Sequence, residues 1–79
     1  MKIEYIVNCI KNDFWQAGLE ALLVTDNLTD NEKNVISNVM SKYAYMYQYG
    51  KGIKQNHMAA RALYDNAIKL GNVDAMNGR

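Results

Sequence analysis

No proline occurs anywhere in the chain. That residue lacks an amide hydrogen and clashes with the preceding turn, so its absence leaves every segment free to run as helix. Cysteine is nearly missing too. Cys9 stands alone, which excludes an internal disulfide and leaves stability to packing. Histidine occurs once, as His57, with no cysteine or carboxylate pair placed around it. Metal sites take three or four ligands at recognisable spacing, so no metal is expected and His57 reads as a solvated side chain at a helix start. Cys9 likewise reads as a structural thiol rather than a nucleophile. Gly50-Lys51-Gly52 comes after a helical stretch rather than a strand, so it reads as a turn and not as a phosphate cradle. Catalysis finds no support in these residues, and no cofactor is expected.

Long apolar runs are also lacking. Nothing approaches the roughly 18 consecutive apolar residues of a membrane span. Glu4, Lys11 and Asp13 interrupt the N-terminal apolar residues too early for a signal peptide. The default expectation is a cytoplasmic protein with no membrane partner. Charge of one sign is absent overall, the net formal value being +1. The distribution is uneven: residues 1–38 carry three lysines against six acids, while 39–79 carry six Lys or Arg against two aspartates. A polar chain of this kind orients a partner and speeds encounter without fixing affinity.

What is present points to helices. Hydrophobic residues make up 49% of the chain, too many for disorder and ordinary for a globular domain. At 79 residues there is room for a single domain, and such a chain buries only about 60% of its unfolded surface. Ile3, Ile6, Val7 and Ile10 recur at helical spacing, opposite Lys2, Glu4, Asn8 and Lys11. A second segment runs from about Phe14 to Val24, with Trp15, Leu19, Leu22 and Leu23 on one face. Segments one and two read either as one bent helix or as two. A break at Asn12-Asp13 is favoured, with Asn12 or Asp13 capping the second helix.

Thr25-Asp26-Asn27-Leu28 reads as loop, and Thr29-Asp30-Asn31-Glu32 fits a capping box in which hydroxyl and carboxylate each satisfy a backbone amide. A long helix is expected to Tyr49, with Ile36, Val39, Met40, Tyr43, Ala44 and Tyr47 inward. Gly50-Lys51-Gly52 stops it, and Asn56 caps a fourth helix whose inner face is Ala59, Ala60, Leu63, Tyr64, Ala67 and Ile68. Gly71 ends that helix, and Asn72 is placed to cap a fifth beginning near Asp74. The few glycines read as marking helix ends.

From Val39 to Ala75, about half of the chain, the sequence resembles one unit of the Sel-like repeat, a relative of the tetratricopeptide repeat. The residues that carry this are Tyr43-Ala44, Met46-Tyr47, Tyr49-Gly50-Lys51-Gly52-Ile53, Asn56, Ala60, Tyr64, Ala67-Ile68, Gly71 and Ala75. Small Ala44 and Ala60 permit close helix approach beside Tyr47 and Tyr64. The chain departs from the family at Tyr43-Ala44, usually Leu-Gly, at Asn56, usually Asp, and at Ile68, usually Ala. Residues 1–38 hold an N-terminal hairpin or degenerate repeat and the start of helix three. The resemblance implies an all-α fold, a short right-handed solenoid of two stacked antiparallel helix pairs.

Repeats bury their faces on neighbours and normally need about three units. The C-terminal face of helix four is therefore expected to seek cover from a second copy, another protein or further repeats. Met1 reads as the start of the chain, while continuation past Arg79 stays open. The resemblance implies that first helices line a concave binding surface, and Tyr45 belongs to such a helix, amid Asn34, Asn38, Ser41, Lys42 and Gln48. Partner-binding candidates are Tyr45, Tyr49, Lys42, Gln48 and Ser41, set against the plain reading of an ordinary exposed aromatic. The expected role is a non-catalytic adaptor or inhibitor binding a protein of unknown identity.

Three alternatives accompany it. Residues with AT-rich codons (Asn, Lys, Ile, Tyr, Met and Phe) total 35, against 15 for Gly, Ala, Arg and Pro. With the small size, this raises a phage or mobile-element inhibitor of a host defence complex. Lys51, Lys54 and Arg61, with Lys42, gather in sequence around the turn beside Tyr45 and Tyr49, a composition that also serves a nucleic-acid groove. Self-association would place Met58, Leu63, Leu70 or Met76 at the seam of a homodimer at the C-terminal end.

Overall fold

A computed structural model of the chain describes residues 2–71. Every described element is helical: α1 (Lys2–Lys11), α2 (Trp15–Leu23), α3 (Asp30–Tyr49) and α4 (His57–Lys69). The packing has a simple scheme. α1 lies along α2 and α3 along α4, while α1 also meets α3 and α2 meets α4. The expected fifth helix, together with Ala75 of the repeat match and Met76 of the dimer seam, lies outside the described residues.

The core sits where the apolar stripes meet. Ile6, Ile10, Ile36, Met40 and Leu63 are fully enclosed, each stabilising the fold by about 1.5–3 kcal/mol relative to exposure. Ala44, Ala59, Ala60 and Ala67 are buried between them, and their small size lets α4 lie close on α3. Val39, Tyr43 and Ile68, expected inward, are only half-buried at the margin of this core. Ser37 is buried unexpectedly, and its hydroxyl is satisfied locally by donating to the Asn34 carbonyl at 3.1 Å.

Helix ends are set by local chemistry. The Thr29 hydroxyl accepts from the Glu32 amide at 3.1 Å, and the Thr29 amide donates to Glu32 Oε1 at 2.9 Å, completing the capping box. Asn56 caps α4 by accepting from the Ala59 amide at 3.1 Å. Gly50 ends α3 in the left-handed region at φ 65°, where a side chain is strained. The turn beyond it is stitched back onto the α3 terminus. Lys51 N–H donates to the Met46 carbonyl, Asn56 N–H to that of Tyr47 and Gln55 Nε2 to that of Gln48. Carbonyls that a helix end leaves unpaired thereby find donors.

The α1–α2 junction corrects three sequence expectations. Neither Asn12 nor Asp13 caps α2: Phe14 holds that position and supplies no side-chain bond. Asp13 instead terminates α1. It sits at φ 68°, with Phe14 N–H donating to the Cys9 carbonyl at 2.8 Å and Asp13 N–H to that of Ile10 at 3.4 Å. This is a Schellman termination with aspartate in the place glycine usually takes, one of the few residues that tolerate the left-handed region. Gly18 marks no helix end either. It is buried in mid-α2, where a Cβ would stand 3.0 Å from Ile10 Cγ1 and 3.3 Å from both Cys9 Cβ and the Ile6 carbonyl oxygen. Leu23, expected on the inner face of α2, is 80% exposed: it is the last residue of the helix, and Ala21 and Leu22 take the contacts with the core there.

A polar contact ties the two helix pairs. The Tyr47 hydroxyl, on a nearly buried side chain of α3, donates to Asp13 Oδ1 at the end of α1. Burial first, and the Asp13 carboxylate second, push the Tyr47 phenol far above its ordinary value of 10.0, so it keeps its proton where an exposed tyrosine has lost it.

Candidate partner-binding face

The outward face of α3 repeats at helical spacing through Asn31, Asn34, Val35, Asn38, Lys42, Tyr45 and Tyr49, all exposed. Its N-terminal half is dominated by asparagine. The C-terminal half is aromatic and cationic, and here the predicted residues come together.

Tyr45 and Tyr49 are 45% and 55% exposed, and lie one helical turn apart. Their ring centroids are 4.8 Å apart with planes tilted by 56°. This tilted pairing suits the ring quadrupoles and holds two phenols in a fixed relation at low entropic cost. Lys51 Nζ stands 5.3 Å from the centroid of Tyr45. At an exposed site such a contact is worth about 0.5–1 kcal/mol, enough to bias the lysine to one side of the ring. The geometry of the turn makes it possible, since left-handed Gly50 reverses the chain and returns Lys51 over the last turns of α3.

Gln48 is half-buried, with Nε2 at 3.4 Å from the Tyr49 hydroxyl. Behind the pair, Tyr64 of α4 is almost wholly buried. Its phenol is pushed above the ordinary range, first by burial and then by the nearby hydroxyls of Tyr49 and Tyr45. Tyr64 itself is part of the buried core. Ser41 is half-buried, and its Oγ is shielded from solvent without a hydrogen-bond partner among the described residues.

The lysines of the turn divide between two places. Lys51 belongs with Tyr45. Lys54 instead lines a shallow concavity of about 380 Å³ between the end of α1 and the α3–α4 turn, with Lys11, Asn12, Asp13, Tyr43 and Ile53 among its walls. Lys42 Nζ lies 6.0 Å from the Tyr43 ring centroid. Arg61 is exposed in the second turn of α4. Of the residues expected at a dimer seam, Met58 is 70% exposed and Leu70 half-buried, but Leu63 is fully buried in its own core and cannot serve.

Among the described residues, no three His, Cys, Asp or Glu side chains gather as metal ligands do, and no helix is long and apolar enough to cross a membrane. No known family model, curated protein or solved structure matches the chain.

Proposed function

We propose that this chain is a non-catalytic protein-interaction module, a small cytoplasmic adaptor or inhibitor that presents the C-terminal half of α3 to a protein partner. The observation that carries the reading is the exposed Tyr45–Tyr49 pair, held by mutual ring contact and flanked by Lys42, Gln48 and Lys51. Tyrosine is prominent among residues that dominate binding energy, because it offers a large rigid surface and a hydroxyl. The contacts of α1 with α3 and of α2 with α4 support the stacked-pair solenoid that the Sel-like resemblance implies, first helix on first and second on second. In that arrangement α3 belongs to the binding side.

Affinity capture of the tagged chain from bacterial lysate treated with nuclease tests this. Recovery of one protein complex, reduced at least about 30-fold in affinity by Tyr45→Ala with Tyr49→Ala, is the expected result. Recovery unchanged by the double variant would sink the proposed face. If the captured complex belongs to host defence, the narrower reading of a phage or mobile-element inhibitor gains its first support.

A nucleic-acid reading draws on one observation, Lys51 lying over a ring of the aromatic pair. Binding that vanishes with nuclease and weakens steeply with salt would favour it.

A further inference from the structure

Lysines from two elements line one concavity beside Tyr43, and a third stands near that ring. Lys11 comes from the last turn of α1, Lys42 from α3 and Lys54 from the α3–α4 turn. Lys11 and Lys54 line the concavity of about 380 Å³ whose walls include Tyr43, and Lys42 Nζ stands 6.0 Å from that ring. Met46 and Ile53, both half-buried, add apolar surface to the same walls. Asp13 is the one acid among the lining residues, and its carboxylate accepts from the Tyr47 hydroxyl. The groove thus pairs a half-apolar lining with two lysines.

We propose that this groove receives an acidic, amphipathic segment of a protein partner, its carboxylates against Lys11 and Lys54 and an apolar side chain against Met46 and Ile53. The proposal rests on the protein-interaction reading above and names the chemistry of the partner. Charge complementarity carries it: lysines converging from separate elements onto one half-apolar wall match alternating acidic and apolar side chains. A nucleic-acid strand fits less well. It carries a charge at every nucleotide and would run one past Asp13, where a peptide can set an apolar residue. The Tyr43 ring is also half-buried with Lys42 Nζ 6.0 Å from its centroid, which leaves less of it for a base to stack on than an exposed ring offers. Lys42, beside the Tyr43 ring, belongs to the exposed stripe of α3 that also carries Tyr45 and Tyr49.

The test is fluorescence anisotropy of the whole chain with three labelled probes: a peptide of alternating glutamate and leucine, its glutamine-for-glutamate counterpart, and an oligothymidylate. The glutamate peptide is expected to bind saturably, with affinity reduced about tenfold in Lys11→Gln with Lys54→Gln, each lost pair at an exposed site contributing a few-fold. The glutamine peptide is expected to bind far more weakly. Both lysines are exposed, and an unchanged circular dichroism spectrum will show that the variant folds. No binding of the glutamate peptide, equal binding of the glutamine peptide, or tighter binding of the oligothymidylate would each overturn the proposal. The two readings fail separately. If tyrosine variants lose the captured partner while Lys11→Gln with Lys54→Gln keeps it, only the groove falls. If the tyrosine variants keep the partner while the lysine variant loses affinity for the peptide, only the tyrosine face falls.

Discussion

Replacing Gly18 by alanine sets two effects of opposite sign against each other, and the packing decides between them. In an open helix, Gly→Ala stabilises by about 1 kcal/mol, because alanine restricts the unfolded chain and shields the backbone. In this chain the new Cβ would lie 3.0 Å from Ile10 Cγ1 and 3.3 Å from Cys9 Cβ and the Ile6 carbonyl oxygen. Ile6 and Ile10 are fully buried and have nowhere to retreat, and the Ile6 oxygen is backbone, so α1 as a whole must shift. Overpacking of this kind costs about 1–3 kcal/mol. The net expectation is a destabilisation of about 1 kcal/mol, seen as a Tm about 4–8 °C lower for a chain of this length. Thermal and urea melts tracked by far-ultraviolet circular dichroism measure it. Asn34→Ala, on the exposed face of α3, is the control and should gain about half a kcal/mol from propensity alone. A Gly18→Ala chain that melts higher than the parent, by as much as propensity predicts, would refute the close approach of α1 and α2.

The remaining predictions concern the joints of the fold. Tyr47→Phe removes the hydroxyl that donates to Asp13 and should cost about 1 kcal/mol in a denaturant melt, the modest end for a charged acceptor because Asp13 can turn to water. The same variant should alter alkaline stability. With the folded phenol raised above 10.0, the native state holds its proton where the unfolded state has lost it, so this contribution is full below about pH 10 and declines as pH rises beyond it. Tyr64 is shifted in the same direction, so Tyr47→Phe should flatten the alkaline decline in urea melts at stepped pH without abolishing it. Thr29→Ala removes the hydroxyl that accepts from the Glu32 amide, leaving the backbone bond of Thr29 to the Glu32 carboxylate, and should cost about 1 kcal/mol, with faster amide exchange at Glu32.

The features legible in the sequence are those whose signal is local. Thr29 and Glu32 lie three apart, Asn56 and Ala59 likewise, and Gly50 acts within its own turn, so each can be read without knowing what packs nearby. Apolar spacing places Ile6, Ile10, Ile36, Met40 and Leu63 inside for the same reason. Gly18 and Asp13 mislead because their roles are set from outside their own segments. Gly18 answers to α1 packed against it, and Asp13 is partnered by a tyrosine 34 residues away. A sequence signal for Asp13 does exist: an aspartate after Lys11-Asn12, at the end of an apolar stripe, is also a helix stop. Reading it as the cap of the next helix chooses the wrong neighbour. At the candidate face, Tyr45 and Tyr49 can be placed together by their spacing of four. The separation of Lys51 from Lys54 cannot, because it depends on how the turn after Gly50 folds back.

The most direct test of the α3 interaction face is site-specific photo-crosslinking in cells. A benzophenone amino acid placed at Tyr45 is compared with one at Glu20, exposed on α2. Binding through α3 predicts one cross-linked protein species from position 45, unchanged by nuclease, and none from position 20. Equal cross-linking at both positions, or none at position 45, would contradict it.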